Sequence, residues 1–234
     1  VIFVSKSLVN EYKNFIDNLN KISVIPNGIN IKQLTENTNP RYFIHDNKLE
    51  NKIILFSIGR IDKLKGFQKV IEIFPKLKEK YDNLIYLIAG KDGGFKKELQ
   101  KLIKNKKLIN SVQFLGYVNH QTKKNAFAAA DLVLIPSLYE PFGIVILEAM
   151  GFGKPIISTK RGGIKEILKH EINGILINPS DQLELYDQID KLLKNKELRE
   201  KLGKEAKRSV QKFDWKKIIF KVNEIYNKVL NIKT

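Results

Sequence analysis

Glu140 and Glu148 flank the segment EPFGIVILE, with seven residues between them. The stretch around them is otherwise apolar, so a carboxylate at each end asks for a chemical reason. Glu140 precedes Pro141, which biases it toward extended backbone at a strand end or in the loop after it. Gly143 lets the chain turn, and IVILEAMGFG then reads as a short buried helix with Glu148 more than one turn in. The amides of Phe142, Gly143 and Ile144 point out of that helix's N-terminus and can hold a sugar hydroxyl or a phosphate. A carboxylate such as Glu148 suits a vicinal diol such as a ribose, because it accepts two O–H hydrogen bonds. Earlier in the chain, Gly59-Arg60 is followed by Lys63, Lys65 and Gly66 ahead of a helical pattern. Arg60 and Lys65 there supply positive charge beside a helix N-terminus, an arrangement suited to a diphosphate.

Each signal has a plain structural alternative. Gly59-Arg60 can be a turn, Lys65 a solvated surface lysine, Glu140 a carboxylate favoured by the helix dipole, and Gly162-Gly163 a tight turn. Convergence is what separates the two readings. The pattern from residue 53 onward predicts strands over 53–59, 84–90, 112–118, 132–137, 155–159 and 174–178. Between and after them it predicts helices over 66–81, 95–107, 120–130, 143–152, 164–170, 181–195 and 196–213. Near-continuous apolar strands alternating with helices define a doubly wound α/β domain with a parallel sheet. Its ligands bind at the carboxyl ends of the strands. Gly59-Arg60, GKDGG (90–94), Gly116-Tyr117-Val118, SLYEPFG and KRGG (160–163) all fall at those ends. Pro75 is expected to distort the helix over 66–81.

Outside this domain, VIFVS reads as a short buried strand and KSLVNEYKNFI as a helix. KISVIPNGIN is a strand followed by turn chemistry. Residues 31–50 are polar and aperiodic, and read as a loop. The last segment, 214–230, places Trp215, Ile218, Ile219, Val222, Ile225, Tyr226, Val229 and Leu230 on one broad apolar stripe. That stripe serves either ordinary packing on the sheet or contact with a further domain.

Composition bounds the chemistry. The 234 residues contain no cysteine, which excludes disulfides, thiol catalysis and thiolate metal sites. His45, His120 and His170 lack metal-ligand spacing, and His120 is placed near a helix start facing solvent, outside catalysis. The formal net charge is +17, a balance that favours anionic partners. In FKKELQKLIKNKK the lysines lie opposite Phe95, Leu99, Leu102 and Ile103, so they read as a solvated helix face rather than a nucleic-acid patch. No nucleic-acid-binding motif, membrane-length apolar run or signal peptide is read from the sequence. The chain begins at Val1 and its one methionine is Met150. It is therefore expected to be a piece of something longer.

In order, GR…KG, FLGYV, AADLVLIPSLYEPFGIVILEAMGFGKPII, RGG…E and NGILINP resemble the C-terminal half of retaining glycosyltransferases of the GT-B fold, family 4 (glycosyl transferases group 1). VSKSL and VIPNGIN resemble the end of that family's N-terminal domain and its interdomain linker. The resemblance implies a Rossmann-like sheet over 51–213 that binds a UDP-, GDP- or ADP-sugar. Residues 1–30 are then a remnant of the N-terminal domain with its linker, and the helix over 214–234 packs back on that domain.

By the same resemblance, Gly59, Arg60 and Lys65 match the turn and cations at the donor diphosphate. Glu148 matches the ribose-binding glutamate, and Glu140 the one near the transferred sugar. Phe142, Gly143 and Ile144 match the loop whose amides face sugar and phosphate, and Val118 the segment beside the nucleobase. Glu140, Arg60 and Lys65 are the expected catalytic residues, with Glu140 positioning sugar hydroxyls rather than acting as a nucleophile.

No metal or cofactor is implied. The implied partners are the donor, a carbohydrate or lipid-linked acceptor and the absent N-terminal domain, without which the chain is expected to bind donor and catalyse little. The implied location is cytoplasmic, with peripheral contact at an acidic inner membrane face as a further reading. Two rival readings stand beside it: a nucleotide-sugar epimerase on the same fold, and a binding module without activity.

Overall fold

The structure, a computed structural model, describes residues 1–16 and 18–230. Its centre is a six-stranded parallel sheet with strand order β5-β4-β3-β6-β7-β8. The strands are β3 (Ile53–Ile58), β4 (Leu84–Ala89), β5 (Val112–Gly116), β6 (Leu132–Ile135), β7 (Ile156–Thr159) and β8 (Ile175–Ile177). β1 (Ile2–Phe3) and β2 (Ser23–Val24) form a separate parallel pair. The helices are α1 (Lys6–Tyr12), α2 (Ile31–Thr35), α3 (Pro40–Asp46), α4 (Phe67–Lys78), α5 (Lys96–Asn105), α6 (His120–Ala129) and α7 (Ile144–Gly151), then α8 (Ile164–Ile167), α9 (Gln182–Lys194), α10 (Lys196–Ser209) and α11 (Trp215–Val229).

Period-two geometry explains why the strands are apolar throughout. Ile54 and Phe56 of β3 enter a core shared with Phe127, Leu147 and Met150, whereas Leu55 enters the opposite core with Phe74, Tyr86 and Ile189. Each face of the sheet thus has its own helical layer. β3 lies between β4 and β6, and their register is fixed by Ile53↔Leu84 on one side and Leu55↔Leu132 on the other. The order reverses between β3 and β6, and in such sheets that switch point is where ligands collect.

The expected doubly wound, Rossmann-like α/β domain is the one observed. α4 runs through Pro75 and ends one turn later, at Lys78. Residues 31–50 differ from expectation: they are not a loop. Asn30 caps α2 by accepting from Gln33 N at 3.0 Å, and Asn39 caps α3 by accepting from Tyr42 N at 3.0 Å, with Pro40 at the first helical position. Leu34 and Phe43 carry these short helices into the core, and Leu49 follows them in. The buried side chains of α6 hold them there. Asn125 Oδ1 accepts from Asn39 N at 2.8 Å, and Lys124 Nζ donates to the Glu36 carbonyl.

The strand expected to be buried at the N-terminus also differs. β1 has two residues, and Val1 and Ile2 are exposed, because β1 and β2 form a pair of their own outside the large sheet.

α11 buries Ile218 but leaves Trp215, Ile219, Phe220, Tyr226, Val229 and Leu230 exposed, so the sheet is not what its stripe packs against. Residues 231–234 of the expected terminal helix lie outside the described residues. Its start is tied to the 28–30 turn: Ile29 N donates to Phe213 O at 2.9 Å and Trp215 N donates to Ile29 O at 3.0 Å.

Candidate active site

The loop after β6 carries Glu140, and its root is built from hydroxyls. Ser57 Oγ donates to Leu134 O at 2.6 Å, Ser158 Oγ to Ile135 O at 2.9 Å and Thr159 Oγ1 to Ser137 O at 2.5 Å. Parallel neighbours thus satisfy carbonyls that the sheet ladder abandons where β6 diverges. Further out, the loop packs against the glycine turn after β7. Gly163 N donates to Glu140 O at 3.1 Å. Gly162 has φ +56°, and a Cβ there would stand 2.1 Å from Glu140 O. From the other side, Ser5 Oγ donates to Pro141 O at 2.7 Å. The Glu166 carboxylate accepts from the amides of Lys6 and Ser7, which holds Ser5 in place.

The turn after β3 meets this loop. Asp62 accepts from Leu64 N and Lys65 N, shaping a short turn that ends at Gly66. Leu138 N then donates to Leu64 O at 2.7 Å. This brings Lys65 Nζ to Glu140 Oε2 at 2.8 Å, with both side chains mostly shielded. The lysine stem passes Gly59, where a Cβ would make only ordinary contact with Lys65 Cδ at 3.5 Å. Arg60 projects into solvent, its side chain 71% exposed, and Nε donates to Asp62 Oδ2 at 2.8 Å.

On α7, Gly143 takes φ +105° and starts the helix. Among the described residues none accepts from the amides of Phe142, Gly143 and Ile144, which therefore remain open donors at the N-terminus. The Phe142 side chain is buried edge-on against Phe213, so this residue offers the site only backbone. Glu148 follows one turn on, its side chain 11% exposed, and accepts from Lys123 Nζ at 2.5 Å.

A cleft of about 480 Å³ opens at these strand ends, lined by Gly59, Arg60, Lys91, Val118, His120 and Lys123 among others. Tyr117 stands exposed at its mouth, with Lys91 Nζ 5.0 Å above its ring. A second cleft of about 400 Å³ lies beside it, lined by Asn30, Gln33, His120, Glu148 and Trp215 among others. The sequence-predicted residues thus fall into three connected groups: Lys65 with Glu140, Gly59 and Arg60 with Val118, and Glu148 behind Lys123. His120 is exposed, as expected, but it lines both clefts rather than standing apart from them.

Lys123 and Ser5 were not singled out by the sequence. Lys123 looked like one more lysine in a basic chain. In the sequence Ser5 reads only as the last residue of the VIFVS strand, and in the structure it caps α1 by accepting from Leu8 N at 3.2 Å. Among the described residues, no three histidine, aspartate or glutamate side chains gather into a group that could hold a metal ion. None of the helices described is long and apolar enough to cross a membrane.

A family model for glycosyl transferases group 1 matches residues 40–209. An uncharacterized glycosyltransferase of Methanocaldococcus jannaschii is 36% identical over 97% of this chain and 59% of its own length. The N-acetyl-alpha-D-glucosaminyl L-malate synthase of Bacillus anthracis is 32% identical over 98% of this chain and 60% of its own. Among solved structures, Anabaena HepE in complex with UDP-glucose superposes with a TM-score of 0.90, at 26% identity, covering 97% of this chain and 63% of that one. This chain belongs to glycosyl transferases group 1. It spans about three fifths of the length of the curated relatives it matches.

Proposed function

We propose that this chain is the donor-binding half of a glycosyltransferase that moves a sugar from a nucleoside-diphosphate sugar to a carbohydrate or lipid-linked acceptor, retaining anomeric configuration. The observation that carries the reading is the meeting of Lys65 and Glu140 at 2.8 Å, at the switch point of the sheet and beside the open amides of α7. A cation, a carboxylate and free N–H donors at one strand end suit the junction of a diphosphate and a sugar. The bound UDP-glucose of the Anabaena structure supports the donor class.

In this reading Arg60 and Lys65 offset negative charge as the sugar–phosphate bond breaks, an electrostatic contribution preset by the turn at Asp62. Glu140 orients sugar hydroxyls, and the amides of Phe142, Gly143 and Ile144 face sugar and phosphate. Glu148 receives the ribose diol, and Val118 with Gly59 borders the nucleoside. The acceptor attacks from the face the diphosphate leaves. The proposed chemistry uses no metal. Residues 1–30 are the end of an N-terminal domain with its linker, and the exposed stripe of α11 packs on that domain, which completes the cleft and excludes water.

Calorimetric titration of the 234-residue chain with UDP, GDP and ADP, each with and without an attached sugar, tests the reading. Preference for one base is the expected outcome. Absence of binding by all of them, in this chain and in a longer one carrying the N-terminal domain, would overturn it.

A further inference from the structure

Lys123 and Glu148 form the partition between the two clefts. Lys123 lines the larger cleft, Glu148 lines the smaller, and the two meet at 2.5 Å with side chains 24% and 11% exposed. Among the described residues, Lys123 is the one side chain that donates to the Glu148 carboxylate. A carboxylate this shielded is costly to leave without a hydrogen-bonding partner. A carboxylate has about four lone-pair sites, and the ammonium occupies one, which leaves the rest open for O–H donors. Both residues hang on rigid elements: α6 is capped by Asn119 accepting from Thr122 N at 2.8 Å, and α7 is buried on most of its surface.

Resting on the functional reading above, we propose that Lys123 is the positioning residue that fixes and orients the Glu148 carboxylate for the ribose diol. The pair makes the site discriminate ribonucleotide from 2′-deoxyribonucleotide donors. Lys123 acts through Glu148 and not by touching the sugar or the phosphates. A hydroxyl donating to a charged, immobilised acceptor is held more strongly than one donating to a neutral or wandering acceptor, so the 2′-hydroxyl counts only while the ion pair stands.

The test compares UDP, GDP and ADP with their 2′-deoxy analogues by calorimetric titration. The proteins are the 234-residue chain and its Lys123→Met, Lys123→Arg, Glu148→Gln and Lys123→Met/Glu148→Gln variants. For whichever base binds, the unmodified chain should prefer the ribo form by roughly ten- to a hundred-fold, the span expected for one hydrogen bond to a charged group. Lys123→Met should shrink that preference to within about threefold, and Lys123→Arg should restore it. The double variant carries no uncompensated carboxylate, so it folds even if Lys123→Met does not, and its preference should equal that of Glu148→Gln. An unchanged ribo preference in Lys123→Met overturns the proposal. So does an equal weakening of ribo and deoxy forms, which would make Lys123 a direct phosphate ligand. A difference between Glu148→Gln and the double variant overturns it too, since Lys123 would then touch the nucleotide itself. Failure of all six nucleotides to bind, in this chain and in a longer one carrying the N-terminal domain, would overturn the functional reading along with it.

Discussion

Lys65 and Glu140 pair at 2.8 Å, so under the proposed function a diphosphate has to share the lysine with a carboxylate already in place. Replacing Lys65 by Ala removes the cation and leaves Glu140 facing the anionic ligand. We expect a loss of about 1.5–3 kcal/mol in nucleoside-diphosphate binding, the range for hydrogen bonds to charged groups, or roughly ten- to a hundred-fold in affinity. Titration of the variant checks it, and an unchanged affinity would move the phosphate elsewhere. Glu140→Gln separates two roles for the same carboxylate. If Glu140 orients hydroxyls, a longer protein carrying both domains should keep near-normal turnover with this substitution. A covalent nucleophile would lose nearly all of it.

Short elements hold these residues, and their stability rests on individual caps and turns. Asn39→Ala removes the cap of α3 and should destabilise the chain by about 1 kcal/mol in urea unfolding. Gly162→Ala should cost about 1–3 kcal/mol, because φ +56° disfavours a side chain and the added carbon would collide with Glu140 O. Its nucleotide affinity should fall as well, since the Glu140 loop must give way.

Legibility in the sequence divides along the same line. The strands from 53 to 177 were readable because two-sided burial makes them uniformly apolar, and the glycine and charged punctuation marked where they end. The segment 31–50 was misread because its helices are one to two turns long, too short for a periodicity to show. Asn39-Pro40, a cap followed by a proline at the first helical position, was the signal available. Lys123 stayed hidden because its partner lies 25 residues away on another helix, and nothing local distinguishes it from its neighbours.

Charge acts over the whole molecule. The formal net charge of +17 favours acidic surfaces. The chain is therefore expected to co-sediment with vesicles rich in anionic lipid more than with neutral ones, and an equal partition would remove the further reading of peripheral membrane contact. One acidic group works inside this basic field, joining two helical regions. Burial opposes the charge of Asp190 on α9, but hydrogen bonds from Lys194, Lys80 and Tyr81 outweigh it and hold the carboxyl down at about 2, below the ordinary 3.8. Because the folded value is the lower one, this stabilisation is fully present above pH 3.8 and is lost as pH falls toward 2. Asp190→Asn should cost about 1 kcal/mol at neutral pH, the scale of partly exposed ion pairs, and its unfolding curve should converge on that of the unmodified chain near the acid end of this window.

The Glu140 loop is gripped by residues far apart in sequence: Ser5 ahead of α1, Lys65 from the turn after β3, and the glycine pair at 162–163. This has a consequence for anyone recombining relatives of this chain. The heritable module is not the contiguous stretch 136–148. A chimera that swaps that stretch alone would import a loop cut to fit another protein's first helical turn and another protein's glycine corner. A graft that keeps its function has to carry all three anchors together, including the Ser5 hydroxyl.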